Sequence, residues 1–595
     1  MSDKIKCNAE KPTCANCKIY GKECILEPLG DPSRGGGRES PASTRDSLPR
    51  GSRAKTASSS RPYSQSYSFQ ETSGTIQADV RGGDTEQVSR GDLGGAAGIN
   101  SNPEIVRSTQ HAAPDPLTRS GISRIVVSPN GVSSYHGQTS TIFEENPQER
   151  APVADARPRM PDDWIEKGLV AEAAKQRQLE EFNYGAGVLD FDGVDPELGM
   201  HLLSLHWNRQ HHSFNITYRP AFMRDMACGG PYFSKLLLNA IYFGASKFSP
   251  RHDIRKDPED VRTAGWEFRE RVRNLLGSAL DCSDITTIQA LLIVANTLFA
   301  LGDERSAAWL YSGLAFRMII DLGMHVDAPN LGSSRKFSDE DLEIRRRVFW
   351  AAFIVDKIQS LYQGRPATLK ESDSLVPIKF LDTYEEFEHW KPFAYNAQSS
   401  SYPGSPAYNV STFTSLCRLS VVMSDILSCI YTERSFNQSP TELSEMLDSL
   451  DSKLAAWRDG LPVHLVFDPN KSTQSPPPHV LGLHAMHNVL IILLHRPFVA
   501  DGHLYSTARS ISINSLITCA SAADSIVALL RTYDRTFSVR RAPYLISYAC
   551  YVAATIHTRI AAKRSIESEA HSSLKTCLAI FRENQETNWA ATHSS

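Results

Sequence analysis

Apolar residues recur at helical spacing from about Asp162 to about residue 580, almost without interruption, and alternating strand patterns are nearly absent. That single property confines the folded part of the chain to an all-α architecture. Ser338 and Asp341 have the Ser-x-x-acid spacing of a helix start. Ile344, Val348, Ala352 and Val355 follow at helical intervals, and Gly364 with Pro366 marks the stop. Asp303 reads as the N-cap of another helix through Trp309, Leu310, Leu314, Ile319 and Leu322, closed by Gly323. That segment is apolar nearly all round, which predicts a buried helix. Leu236–Ile241 and Met486–Leu494 read the same way. Polar interruptions fall near 382–410 and 467–480.

At 595 residues the chain is too long for one core, and its 41% apolar content is lean for a chain folded throughout. The stretch 29–160 accounts for the difference. Gly35-Gly36-Gly37, Ser58-Ser59-Ser60 and Gly91-Asp92-Leu93-Gly94-Gly95 alternate there with isolated prolines, and no helical or strand period stands out. Such a segment buries too little apolar surface to offset its chain entropy, so it is expected to be a disordered linker. Three regions result: a head at 1–28, a linker at 29–160 and an all-helical domain at 161–580.

The head is rich in lysine and cysteine. Cys7, Cys14, Cys17 and Cys24 are separated by six, two and six residues, and the other seven cysteines are scattered. Thiolates suit zinc, a borderline-soft ion with a tetrahedral preference, and a two-residue gap lets Cys14 and Cys17 grip one ion. No signal-peptide pattern opens the chain, and apolar runs such as Val489–Leu494 are too short to span a bilayer, so a soluble intracellular protein without a membrane partner is expected. Clustered cysteines in a reducing compartment point to metal rather than disulfides. With net charge −4, the whole chain is not a basic, non-specific nucleic-acid binder; any contact with DNA must rest on local basic residues.

Residues 4–24, Lys-Ile-Lys-Cys-Asn-Ala-Glu-Lys-Pro-Thr-Cys-Ala-Asn-Cys-Lys-Ile-Tyr-Gly-Lys-Glu-Cys, closely resemble the second part of the fungal binuclear zinc cluster. In that family six cysteines hold two zinc ions. The resemblance implies that Cys7, Cys14, Cys17 and Cys24 are the third to sixth ligands and that Cys14 bridges both metals. Pro12 matches the loop between the two halves. The first two cysteines and most of the basic helix would lie before Met1, as expected of a missing exon or a shortened isoform. One zinc held firmly, or none, is therefore expected where the intact motif holds two. Lys4 is the residue implied to reach a base edge of a CGG-like site, while Lys6, Lys18 and Lys22 are implied phosphate contacts.

The body resembles the fungal-specific transcription factor domain, or middle homology region. The strings that carry this are Tyr218-Arg219-Pro220-Ala221-Phe222, Gly229-Gly230-Pro231-Tyr232-Phe233, Ala308–Gly313, Asp321–His325, Arg345–Trp350, Tyr362–Pro366 and His495-Arg496-Pro497-Phe498. The implied protein is a nuclear, zinc-dependent, sequence-specific regulator of RNA polymerase II transcription. Its implied partners are DNA, a second copy of the chain as a homodimer, transcriptional cofactors and a small-molecule effector. The alternative is a regulator with an incomplete head that works through its helical domain. Arg345–Arg347 reads as a solvated, salt-bridged helix face, and Arg219-Pro220 and Arg496-Pro497 read as helix ends.

Enzyme signatures are missing from the sequence. His206, His211 and His212 do not make His-Glu-x-x-His, and Gly244-Ala245-Ser246-Lys247-Phe248 lacks the second glycine of a nucleophile elbow. No phosphate loop or dinucleotide fingerprint occurs. The histidines read as a helix end at the edge of the core.

Overall fold

The computed structural model describes residues 123–127, 133–137, 139–140 and 160–587, apart from 303–304, 327–336, 396–401, 473, 501, 505–508 and 586. All of them fall within one compact unit spanning 110–595. Two strands, β1 (Ser123–Val127) and β2 (Ser133–Gly137), come first. Then follow α1 (Asp162–Gly185), α2 (Pro196–Leu205), a π turn (His206–Gln210), α3 (His211–Phe214), α4 (Arg219–Cys228), α5 (Lys235–Ser246), α6 (Trp266–Ala279) and α7 (Ile285–Leu301). Next are α8 (Arg305–Asp321), α9 (Asp339–Gln363), α10 (Tyr384–Phe387) and the minimal strands β3 (His389–Trp390) and β4 (Ser405–Pro406). The chain continues with α11 (Asn409–Cys429), α12 (Pro440–Asp459), α13 (Pro478–His495), α14 (Arg509–Phe537), α15 (Tyr544–Ala561) and α16 (Glu569–Asn584). The all-α expectation is met.

Helices adjacent in sequence pack as antiparallel neighbours, notably α7 with α8, α13 with α14 and α15 with α16, and one continuous apolar core runs through the bundle. Helix α9 is the axis of that core, because every residue from Leu342 to Ser360 is buried. Its start is the capping box anticipated from Ser338 and Asp341: Asp341 N donates to Ser338 Oγ at 3.1 Å, and Ser338 N donates back to Asp341 Oδ2 at 2.9 Å. Gly364 closes it at φ 63°, a conformation that costs glycine nothing. Ser338→Ala is expected to cost about 1 kcal/mol of unfolding free energy in a urea titration, the usual penalty for losing one N-cap.

Four expectations need correction. Arg345, Arg346 and Arg347 are 6%, 5% and 2% exposed, so they are not a solvated face. A helix at the centre of a bundle has no solvent side, and its charges find partners inside. Arg219-Pro220 begins α4 rather than ending a helix, since proline fits the first turn where no backbone donor is needed. Helix α8 is not buried all round: Leu310 and Leu314, one turn apart, are 64% and 38% exposed. Finally, three helices, Asn409–Cys429, Pro478–Phe498 and Arg509–Phe537, are long and apolar enough by composition to cross a bilayer. Hydroxyl and small residues interrupt their apolar runs, so no long unbroken stretch marks them in the sequence. In the bundle they pack against one another and contribute to the common core. Arg496-Pro497 does follow the end of α13, as expected, while the cap expected at Asp303 lies outside the described residues.

A fifth difference lies inside the stretch read as linker. β1 and β2 pair antiparallel, with Ile125 opposite Tyr135. Ile125 is 3% exposed, and its side chain fills the space that a Cβ on Gly323 would need, 2.9 Å away. Ser133 Oγ donates to Leu322 O at 2.9 Å, and the Tyr135 ring meets His325 edge-on at 4.6 Å. The β-branched run Ile125-Val126-Val127 and the turn-forming Pro129-Asn130-Gly131 were the available signal.

Candidate functional site

The residues expected to bind metal, Cys7, Cys14, Cys17 and Cys24, and those expected to contact DNA, Lys4, Lys6, Lys18 and Lys22, lie outside the described residues. Among the described residues no three histidine, cysteine, aspartate or glutamate side chains converge as a metal site. Cys228, Cys282, Cys417, Cys429, Cys519, Cys550 and Cys577 are free thiols there.

The three histidines sit where α2 runs through the π turn into α3. The extra residue of a π turn offsets the side-chain register of the helix, and such turns often mark sites under functional or packing demand. His206 is buried between two partners, Gln210 Oε1 and Thr217 Oγ1, each at 3.0 Å. Burial pushes its pKa down to about 3, so the ring is neutral. His211 Nε2 faces both carboxylate oxygens of Glu385 at 3.1 Å. Burial alone would raise Glu385, but His211 beside it, Arg347 and His212 together outweigh burial and hold the carboxyl below its ordinary range. Asn409 Nδ2 donates to the same carboxylate at 2.5 Å, tying α3, α10 and α11 together. His212 stacks on His479 with ring centroids 4.7 Å apart. These contacts are structural ties at the edge of the core, as the sequence indicated.

A buried ionic seam runs beside them. Arg347 Nε donates to Glu343 Oε1 at 2.9 Å and its Nη2 donates to Asp382 O at 2.7 Å. Tyr218 Oη donates to Asp382 Oδ2 at 2.7 Å. Burial raises the Asp382 carboxyl despite Arg347 nearby. Arg345 Nη2 donates to Leu322 O at 2.5 Å, and burial lowers its guanidinium to about 10. At the rim, Arg219 grips Glu180 through two hydrogen bonds of 3.0 and 2.7 Å. These arginines orient segments of the bundle.

Comparison with known proteins places two domains on the chain. The profile of the fungal Zn(2)-Cys(6) binuclear cluster domain matches residues 2–30, the stretch holding all four clustered cysteines. The fungal specific transcription factor domain matches residues 203–459, from α2 to the end of α12. The chain is 29% identical over 61% of its length to the nitrogen assimilation transcription factor nirA of Emericella nidulans, and covers 40% of that protein. It is 28% identical to the nitrogen assimilation transcription factor nit-4 of Neurospora crassa, over 61% of this chain and 33% of that protein. An uncharacterized transcriptional regulatory protein of Schizosaccharomyces pombe is 28% identical over 60% of this chain and 56% of its own length. The chain thus spans between a third and somewhat over half of these relatives. No solved structure matches it.

Proposed function

We infer, for a chain that belongs to the fungal zinc-cluster transcription factors, that residues 2–30 bind zinc and DNA and that the helical body regulates transcription through them. The observation that carries this reading is the coincidence of the cluster-domain match at 2–30 with the Cys7, Cys14, Cys17 and Cys24 spacing. The donor set fits the metal: four thiolates satisfy one tetrahedral zinc. Zinc binding would fix the loop between Cys7 and Cys24 and hold the lysines in one orientation. Lys4 then donates to a guanine edge in the major groove, and Lys6, Lys18 and Lys22 neutralise phosphates. Recruitment of the RNA polymerase II machinery, a nuclear location and pairing of two copies on two half-sites belong to the same proposal. So does the absence of catalysis, since the matched domains are those of regulators.

Because the sequence holds four of the motif's thiolates, one zinc is expected to bind tightly and a second weakly. Cobalt titration of the protein, read by the thiolate charge-transfer band, checks this. Two tight equivalents would contradict it. Cys14→Ser is expected to lower metal affinity more than the roughly 10–100-fold that loss of an outer-shell partner costs. It should abolish sequence-specific gel shifts on a CGG-bearing duplex while leaving the far-UV circular dichroism of the helical body unchanged. A second reading, a regulator acting through its helical domain, is favoured instead if the unsubstituted protein itself gives no specific shift on that duplex.

A further inference from the structure

The junction of the π turn, the C-terminal end of α5, helix α7 and the start of α15 encloses a cavity of about 70 Å³. That is room for roughly five waters' worth of atoms, at about 10–15 Å³ each. Its walls are largely apolar and include Phe248, Ile293 and Leu545, and no aspartate or glutamate lines it. Two cations do. Lys247 is 9% exposed and Arg209 7% exposed. Among the described residues neither has a carboxylate partner or a hydrogen bond; each has only an aromatic face. Lys247 Nζ lies 5.0 Å from the Phe248 ring centroid, and Arg209 Cζ lies 5.3 Å from that of Tyr395. Arg209 Nε and Asn296 Nδ2 are buried donors with no acceptor.

Uncompensated cations in an apolar pocket are costly, and proteins hold buried charge by pairing it. Arg347 against Glu343 and Lys357 against Asp356 show that rule obeyed. We propose that this cavity is a binding site for a small organic anion, a carboxylate-bearing molecule with a short apolar body. Its head group takes the Lys247 ammonium, the Arg209 guanidinium and the Asn296 amide, and its body rests on Phe248, Ile293 and Leu545. Burial alone pushes the Lys247 ammonium down to about 8, as expected of a charge awaiting its counter-ion. The site is independent of the zinc and DNA reading, because it is built wholly within the helical domain and its test reads ligand binding alone.

Full-length protein is heated at neutral pH with millimolar acetate or propionate, with acetamide or propionamide, and with inorganic phosphate. At least one carboxylate is expected to raise Tm by roughly 3 °C or more, while its own amide and phosphate do not. Lys247→Met is expected to keep or raise the Tm of the free protein and to lose the carboxylate response. Arg209→Met should weaken that response at least roughly tenfold in the concentration required. The proposal is overturned if none of the carboxylates stabilises, if amides or phosphate act equally, or if Lys247→Met still responds. Unfolding of Lys247→Met would overturn it as well, because it would show the ammonium to be held by the fold itself.

Discussion

Asp356→Ala is expected to destabilise the helical domain by about 3–5 kcal/mol, the usual cost of stripping one partner from a buried ion pair. Asp356 and Lys357 are both fully buried at the centre of α9. The Asp356 carboxylate accepts from Lys357 Nζ at 2.9 Å, from Thr368 N at 3.0 Å and from Leu369 N at 2.9 Å. Lys357 Nζ also donates to Leu369 O. The pair therefore fastens the segment after Gly364 back onto the helix that precedes it. Alanine at 356 leaves two backbone donors and an ammonium in the core without that acceptor. Burial already lowers the Lys357 pKa, so the deserted amine would lose its proton rather than stay charged. Asp356→Ala with Lys357→Met should recover a large part of the loss, because removing both charges avoids burying one alone. Urea unfolding of the single and double variants measures this, and a double variant as unstable as the single one would contradict it.

Acid is expected to weaken the same domain well before carboxylates titrate. Burial pushes His206 down to about 3 and His487 down to about 4. Both are nearly inaccessible, at 3% and 5% exposure. Unfolded, each takes up a proton near pH ~6.5. Between those values the unfolded state binds more protons, so stability is complete above about 6.5 and falls as pH drops. At about pH 5 each ring costs about 2 kcal/mol, or about 4 kcal/mol for the two. The groups around them leave that direction unchanged. Arg219 adds to the effect of burial on His206, against the hydrogen bond to Gln210, which favours the protonated ring. For His487, burial and the neighbours His484 and Arg458 outweigh the hydrogen bond to Leu454 O and the charge of Asp451, which favour the protonated ring. His212, pushed by burial to about 4, and His479, pushed well below its ordinary range, add in the same sense. Glu385, held low in the folded state, would contribute only below the ordinary glutamate range near ~4.3. Urea midpoints measured from neutral pH to about pH 5 should therefore fall steeply, and His487→Gln should flatten that fall by about 2 kcal/mol. A flat profile would show these rings charged in the folded state.

Much of the architecture was legible because helices announce themselves locally. The box at Ser338 and Asp341, the stop at Gly364 and the apolar spacing between them depend on residues within a turn of one another. Spacing alone put forward Cys7, Cys14, Cys17 and Cys24 as the proposed metal ligands, since four thiolates so close together can satisfy one ion without help from the rest of the chain.

Partners distant in sequence were not legible. Arg345–Arg347 beside acidic neighbours is an ordinary solvated pattern; only the packing of α9 inside the bundle sets Arg347 against Asp382, thirty-five residues away, and Arg345 against Leu322 and the β1–β2 hairpin. Lys247 stands in the Gly244–Phe248 string that lacks the second glycine of a nucleophile elbow, and Arg209 is one basic residue beside a row of histidines. Bringing α5, α7 and α15 to the π turn is what leaves these two cations in one apolar cavity without a carboxylate. Period and capping are set by interactions within a turn or two, so the sequence by itself determined the helices and put forward the cysteine set. Which charge is buried, and which is left without a partner, depends on where remote helices come to lie, and the tertiary structure alone decided that.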